Sequence, residues 1–172
     1  MKVALTIAGS DSSGGAGIQA DLRTFAAHRV HGASAVTAIT AQSSQAVVDR
    51  APVEPRLVVA QIEAVAADMP VAATKTGMLA TAQIVAAVAD AAGRLPLGPL
   101  VVDPVMVAKS GDRLLDAAAE HSYRALLPRA ALLTPNLHEA EVLLGRPVGD
   151  LAAMRQAARD LKALGPCAVL VK

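Results

Sequence analysis

IAGSDSSGGAGIQAD, Ile7 to Asp21, is the stretch on which the fold turns. It leaves the strand-like run KVALTIA, crosses a loop crowded with Gly and Ser, and enters a helical pattern from Gly15 to His28. Such a loop presents backbone amides at a helix N-terminus, where anions and polar ligands can be held. The question it poses is what it holds, the phosphates of a nucleotide or something else.

Outward from this stretch the same alternation recurs. SAVTAIT, Ser34 to Thr40, reads as a strand, and AVVDRAPV as a short hairpin after it. Pro55 stands where a helix can start, and RLVVAQIEAVAAD keeps helical periodicity as far as Pro70. VAATK is a strand, and TAQIVAAVADAAG is a helix with Thr81 as N-cap and Gly93 as its stop. PLVVDPVM reads as a buried strand, DAAAEHSYRALL as a helix ending before Pro128, ALLTPN as a strand and NLHEAEVLL as a helix. Asp150 caps DLAAMRQAARDLKALG, and CAVLVK is a final strand that reads as central. Continuous apolar strands alternating with helices predict an α/β domain over 1–172, with a mostly parallel sheet covered on both faces.

Composition narrows the function. An apolar content of 53% in 172 residues excludes a disordered chain and allows a sizeable core. Much of that content is Ala and Val. With Phe25, Tyr123 and no Trp, the chain lacks the stacking platforms of single-stranded nucleic-acid binders. The 16 basic and 15 acidic residues form no basic cluster, so nucleic acid is not an expected partner. Cys167 stands alone, which excludes an internal disulfide or a thiolate metal site and predicts a cytoplasmic protein. His28, His31, His121 and His138 have no ligand spacing with it and read as structural or surface residues. Charges or prolines interrupt every long apolar run, so no membrane span is expected.

The glycine loop by itself is ambiguous. GAGIQA, Gly15 to Ala20, formally fits the G-x-G-x-x-G/A dinucleotide fingerprint. Gly9 to Gly14 intervene after the strand, however, and the second strand ends TAITAQSS without the acid that takes the ribose hydroxyls. G-x-x-x-x-G-K-[ST] does not occur. The loop is equally a turn that lets strand and helix pack closely.

Five blocks, each at a strand end and in this order, change the balance: AGSDSSGGAGIQADL, TAITAQSS, TKTGML, VVDPVMVAKSGD and LLTPNLHEAEVLLG. Together they resemble the hydroxymethylpyrimidine kinase / phosphomethylpyrimidine kinase family of thiamine biosynthesis, in the ribokinase-like superfamily. The resemblance covers Ile7 to Lys172, and DPVMVAKSG is its most specific part. It implies a three-layer α/β/α, Rossmann-like fold. It also implies that the opening loop closes over the phosphate acceptor, an aminopyrimidine alcohol, while a second Gly-rich loop cradles the nucleotide phosphates.

For single residues, the implied role stands beside an ordinary one. Gly9 belongs to the loop over the acceptor. Asp21 would approach the acceptor hydroxymethyl group, or is a surface acid favoured by the helix dipole. Gln42 offers donor and acceptor together, as the amino and ring nitrogens of an aminopyrimidine require; a loop Gln is also often merely solvated. Met78 and Val105 would wall the ring, or simply pack the core. Asp103 ends an apolar strand at the usual ligand edge, where it would act near Mg²⁺ and the transferred phosphoryl group, or is a turn-forming Asp before Pro104. Asn136 and Glu139 reproduce the superfamily's N-x-x-E pattern and would act on one hydrated Mg²⁺. The same pair is also a capping box. Lys172 stands where the family has a lysine leading to the nucleotide phosphates. Lys109, Ser110 and Gly111 form either a cover or a solvated turn.

The reading is therefore an ATP- and Mg²⁺-dependent kinase of hydroxymethylpyrimidine and its monophosphate, expected from the family to be a homodimer. The family's anion-hole loop, with its catalytic base, is expected beyond Lys172, so the sequence reads as cut short and its own turnover as slow or absent. Alternatives are a pyridoxal/pyridoxine kinase, a non-catalytic pyrimidine-binding fragment, and a nicotinamide enzyme using GAGIQA.

Overall fold

The structure, a computed structural model, describes the backbone of residues 1–106 and 117–172 and the side chains of 1–106 and 122–172. Chain order is β1 (Val3–Asp11), α1 (Gly17–Ala27), β2 (His31–Gln42), β3 (Val47–Pro52), α2 (Pro55–Asp68), β4 (Val71–Thr76), α3 (Ala82–Arg94) and β5 (Leu100–Val102). Then come α4 (Ala117–Leu126), β6 (Ala130–Leu133), α5 (Leu137–Leu144) and α6 (Leu151–Lys162). The strands form a sheet of order β3-β2-β1-β4-β5-β6, parallel except for the β2–β3 hairpin.

The chain direction through the sheet explains the layers. From β1 it steps one way to β2; from β2 it returns past β1 to β4 and continues to β5 and β6. Right-handed crossovers then put α1 on one face and α2, α3 and α4 on the other, where α2 packs on α3 and α3 on α4. β1 is buried on both faces, Leu5 and Ile7 on one and Thr6 and Ala8 on the other. Leu5, Ile7, Ile62, Leu79 and Ile84 are wholly excluded from solvent, and each contributes roughly 1.5–3 kcal/mol of hydrophobic stabilisation.

Local signals in the sequence hold where they are local in cause. Pro55 opens α2, the Thr81 hydroxyl caps α3 by accepting from the Ile84 amide, and Asp150 caps α6 through the Ala153 amide. Other boundaries move because of tertiary contacts. β1 runs on to Asp11, since Ser10 and Asp11 pair with Ile39 and Thr40 beyond a bulge at Gly9. AVVDRAPV is not a hairpin in itself but supplies the second arm of one whose first arm is β2. α3 passes through Gly93 and runs on to Arg94, because Gly93 lacks the left-handed φ of a glycine that ends a helix. Pro128 sits in the first turn of a 3-10 segment, Leu127–Arg129, where no amide donor is needed. Of PLVVDPVM only Leu100–Val102 is strand. CAVLVK runs parallel to β6 on the side away from β5, with a bridge from Leu133 to Val169 and backbone hydrogen bonds from the Cys167, Leu170 and Lys172 amides to the Ala130, Leu133 and Pro135 carbonyls.

Candidate functional site

Parallel strands aim their carboxyl ends at one edge of the sheet, and the chain reverses its stepping direction between β1 and β4. A ligand crevice is expected outside that edge, at that point. A cavity of about 510 Å³ lies there. Gly9, Asp21, Gln42, Met78, Asp103, Val105, Asn136, Glu139 and Lys172 all line it, although they come from segments up to the full length of the chain apart. Lys109, Ser110 and Gly111 lie outside the described residues.

At one end β1, α1, β2 and β4 build a closed network. Thr6 and Lys75 are register partners on adjacent strands, so their side chains share the face under α1. Asp21 reaches down from α1 to meet them. Its Oδ1 and Oδ2 both accept from Lys75 Nζ at 2.9 Å, and Oδ2 also accepts from the Thr6 hydroxyl at 2.6 Å. Oδ1 is therefore the freer oxygen. Met78 lies across Gly9, its terminal methyl 2.3 Å from where a Cβ would stand. Gln42 closes β2. Its Oε1 accepts from the Thr40 hydroxyl at 3.2 Å, and its backbone amide and carbonyl both bond to Ser12 Oγ.

The glycine loop is held by the protein's own carboxylate. Asp11 Oδ1 accepts from the Ser13 amide and hydroxyl, each at 2.8 Å, and Oδ2 accepts from the Ala16 amide at 2.7 Å. Burial alone would raise the Asp11 pKa, but these bonds to Ser13, Ala16 and Gly15 outweigh it and hold the carboxyl below its ordinary value. Gly17 opens α1 at φ +58°, with room for no side chain: a Cβ would lie 2.4 Å from the Gly9 carbonyl oxygen.

The opposite end is built from β5, β6 and the 167–172 segment. Asp103 follows β5, and its Oδ1 accepts from Lys172 Nζ at 3.1 Å. Asn136 caps α5: its side chain accepts from the Glu139 amide, and the Glu139 carboxylate accepts from the Asn136 amide, both at 2.8 Å. The capping box and the cavity lining thus fall on the same two residues. Glu139 is 3% exposed, and burial pushes its pKa up, with the Asp103 charge adding to the rise while the Asn136 and Met106 amides and Lys172 oppose it. Behind them the Tyr123 hydroxyl is buried with no hydrogen-bond partner among the described residues. Burial and the Glu139 and Asp103 charges push that hydroxyl far above the usual range.

Sequence reasoning missed Asp11, Lys75 and Thr6. An Asp followed two residues later by Ser is an Asx-turn signal that could have marked Asp11. Lys75 and Thr6 carry no local signal. His28 and His31 are exposed, and His138 stands 3.9 Å from Glu141 on the surface of α5, consistent with the structural or surface reading. The side chain of His121 lies outside the described residues.

The three-layer sheet and this edge crevice define a protein of the ribokinase-like α/β/α class. The family model for phosphomethylpyrimidine kinase matches residues 11–172, and the chain belongs to that family. It is 51% identical over 171 residues to the hydroxymethylpyrimidine/phosphomethylpyrimidine kinase of Synechococcus elongatus, covering 99% of this chain and 65% of the relative. The crystal structure of phosphomethylpyrimidine kinase from Clostridium difficile 630 superposes with a TM-score of 0.93 at 42% identity, over 100% of this chain and 75% of that one. Pyridoxal kinase from Staphylococcus aureus, in complex with AMP-PCP and pyridoxal, superposes at 0.87 with 35% identity, over 100% of this chain and 62% of that one. The chain spans just under two thirds of the length of the curated relatives it matches first.

Proposed function

We propose that the protein binds 4-amino-5-hydroxymethyl-2-methylpyrimidine and its monophosphate and takes part in their ATP-dependent phosphorylation. One observation carries this reading: eight residues from the family's five blocks, and Lys172 beyond them, converge on one cavity. Phosphoryl transfer asks a protein mainly for alignment and charge stabilisation. Gly9, Met78 and Val105 form the wall against the pyrimidine ring. Gln42 faces the amino and ring nitrogens. Asp21, steadied by Lys75 and Thr6, accepts the hydrogen of the acceptor alcohol at Oδ1 and aims its oxygen along the cavity. Lys172 and Asp103 stand at the nucleotide end.

Among the described residues no three His, Cys, Asp or Glu side chains gather into a metal cage. Asn136 and Glu139 nevertheless fit a hydrated Mg²⁺. Each already spends one acceptor on the capping box, leaving others for water, and the buried Glu139 charge favours a nearby cation. The ion would neutralise phosphate charge. No catalytic base is assigned among the residues of this chain.

The same reading includes a single kinase domain, a cytoplasmic location and a homodimer. No helix among the described residues is long and apolar enough to cross a membrane. Ile39 and Val48, 60% and 80% exposed on the edge hairpin, supply apolar surface for a second copy. Sedimentation tests the dimer.

Calorimetric titration with hydroxymethylpyrimidine, and with pyridoxal as comparator, tests the acceptor. ADP release with MgATP then tests turnover. Tighter binding of pyridoxal would establish the second reading, which the S. aureus likeness supports. Binding without ADP release would make the chain a pyrimidine-binding unit, and binding of neither compound would overturn the proposal.

A further inference from the structure

The glycine loop has the makings of an anion site. Gly14 at φ +74° and Gly17 at φ +58° curl its amides inward at the start of α1, and Arg23 reaches back from α1 to donate to the Gly14 carbonyl. A curled run of amides at a helix N-terminus normally attracts phosphate. Here each loop amide from Ser13 to Ala16 already has an acceptor inside the chain. Ser13 and Ala16 donate to the Asp11 carboxylate, Gly14 to the Asp11 carbonyl at 2.9 Å, and Gly15 to Ser13 Oγ at 3.4 Å. Asp11 is itself 3% exposed, and the Gln19 amide carbonyl accepts from its backbone N–H.

We propose that Asp11 is a specificity residue: its carboxylate occupies the glycine loop as a built-in anion and keeps phosphate groups out of that end of the cavity. The inference rests on the acceptor reading above and deepens it. A fixed negative charge beside α1 leaves that end open to the uncharged pyrimidine ring. It turns every phosphate, whether carried by the nucleotide or by a phosphorylated acceptor, towards Lys172 at the other end. The same chemistry settles the opening ambiguity of the sequence: the loop holds an anion, and the anion is its own.

The test uses the full chain and inorganic phosphate as probe. The amide signals of Ser13 and Ala16, the two that donate to the carboxylate, are followed by ¹⁵N NMR during phosphate titration of wild type, Asp11→Ala and Asp11→Asn. Both substitutions remove the charge, and Asn retains one acceptor for the loop. The expected result is no saturable shift of Ser13 or Ala16 in wild type and a saturable shift in the variants. The gain in local phosphate affinity should be about tenfold or more, the scale of one full charge at a partly buried helix N-terminus. Saturable shifts of these two amides in wild type would overturn the proposal, as would their absence in a folded Asp11→Asn chain. If Asp11→Ala does not fold, Asp11→Asn alone decides. Phosphate shifts confined to Lys172 and Asn136 count as binding elsewhere and, with Ser13 and Ala16 silent in the variants, also overturn it. Failure of wild type to bind hydroxymethylpyrimidine would remove the acceptor reading while leaving this comparison legible.

Discussion

The two ends of the cavity are built on different principles. At the β1–α1–β4 end, charges are neutralised by short contacts under cover: Asp21 and Lys75 are 16% and 27% exposed, and Asp11 is clasped by its own loop. At the β5–β6 end, Lys172 is 46% exposed and meets Asp103 through a single 3.1 Å contact, while Glu139 is buried against its own preference for water. One end is a finished mould. The other is arranged so that an arriving cation or phosphate changes its energy. A substrate whose shape must be recognised suits the first, and charge in transit suits the second.

Changes at the first end should therefore damage the fold, and changes at the second should affect ligand response. The largest effect is expected for Gly17→Ala. The new methyl would meet the Gly9 carbonyl at 2.4 Å in a backbone conformation that alanine resists, costing about 2–4 kcal/mol. Urea denaturation measures this, and a loss below half a unit would show that the loop is far softer than its contacts imply.

Next comes Lys75→Met, which strands the Asp21 carboxylate under α1. A cost of about 1–3 kcal/mol is expected for breaking a largely covered pair, together with weakened pyrimidine binding by calorimetry. Unchanged binding would remove Asp21 from the acceptor site.

Acid titration sharpens the comparison through opposite signs. The Glu139 pKa is raised above 4.5 in the folded protein, so its contribution is fully present below the unfolded value and is lost as pH rises through the folded one. The Asp11 pKa is lowered below 3.8, so its contribution is present above the unfolded value and is lost as pH falls through the folded one. Glu139→Gln should flatten the gain in stability seen on going from neutral pH down towards 4.5. Asp11→Asn should lower stability at neutral pH and converge with wild type at the acid extreme. Thermal melts at a series of pH values check both, and parallel curves for either variant would contradict the assigned shifts.

The smallest effect on stability belongs to Lys172→Met, where an exposed pair is worth about 0–1 kcal/mol. Its consequence should appear instead as weakened binding of MgATP. A stability loss as large as that of Lys75→Met would erase the distinction between the two ends.

Much of this was legible before any coordinates. Thr81, Asp150 and the Asn136–Glu139 pair were readable as caps because a cap is satisfied within three residues of itself. The nine residues expected at the site all line the cavity, because a parallel sheet brings strand ends to one edge whatever the intervening lengths. Gly93 reads as a stop because glycine is common at helix ends, and only its backbone conformation, not left-handed here, shows that α3 continues. CAVLVK reads as extended because it is an apolar run, but only the structure shows that it pairs with β6.

Periodicity and caps, short-range in origin, predict an α/β chain, and the strand-end motifs, through their resemblance to a known family, point to that family and to the residues that line the cavity. Tertiary structure alone decided which charges neutralise each other. Lys75 lies 54 residues from Asp21, and Asp103 lies 69 from Lys172. Electrostatic partnership depends on distance in space and on the loss of water, and neither quantity is written along the chain.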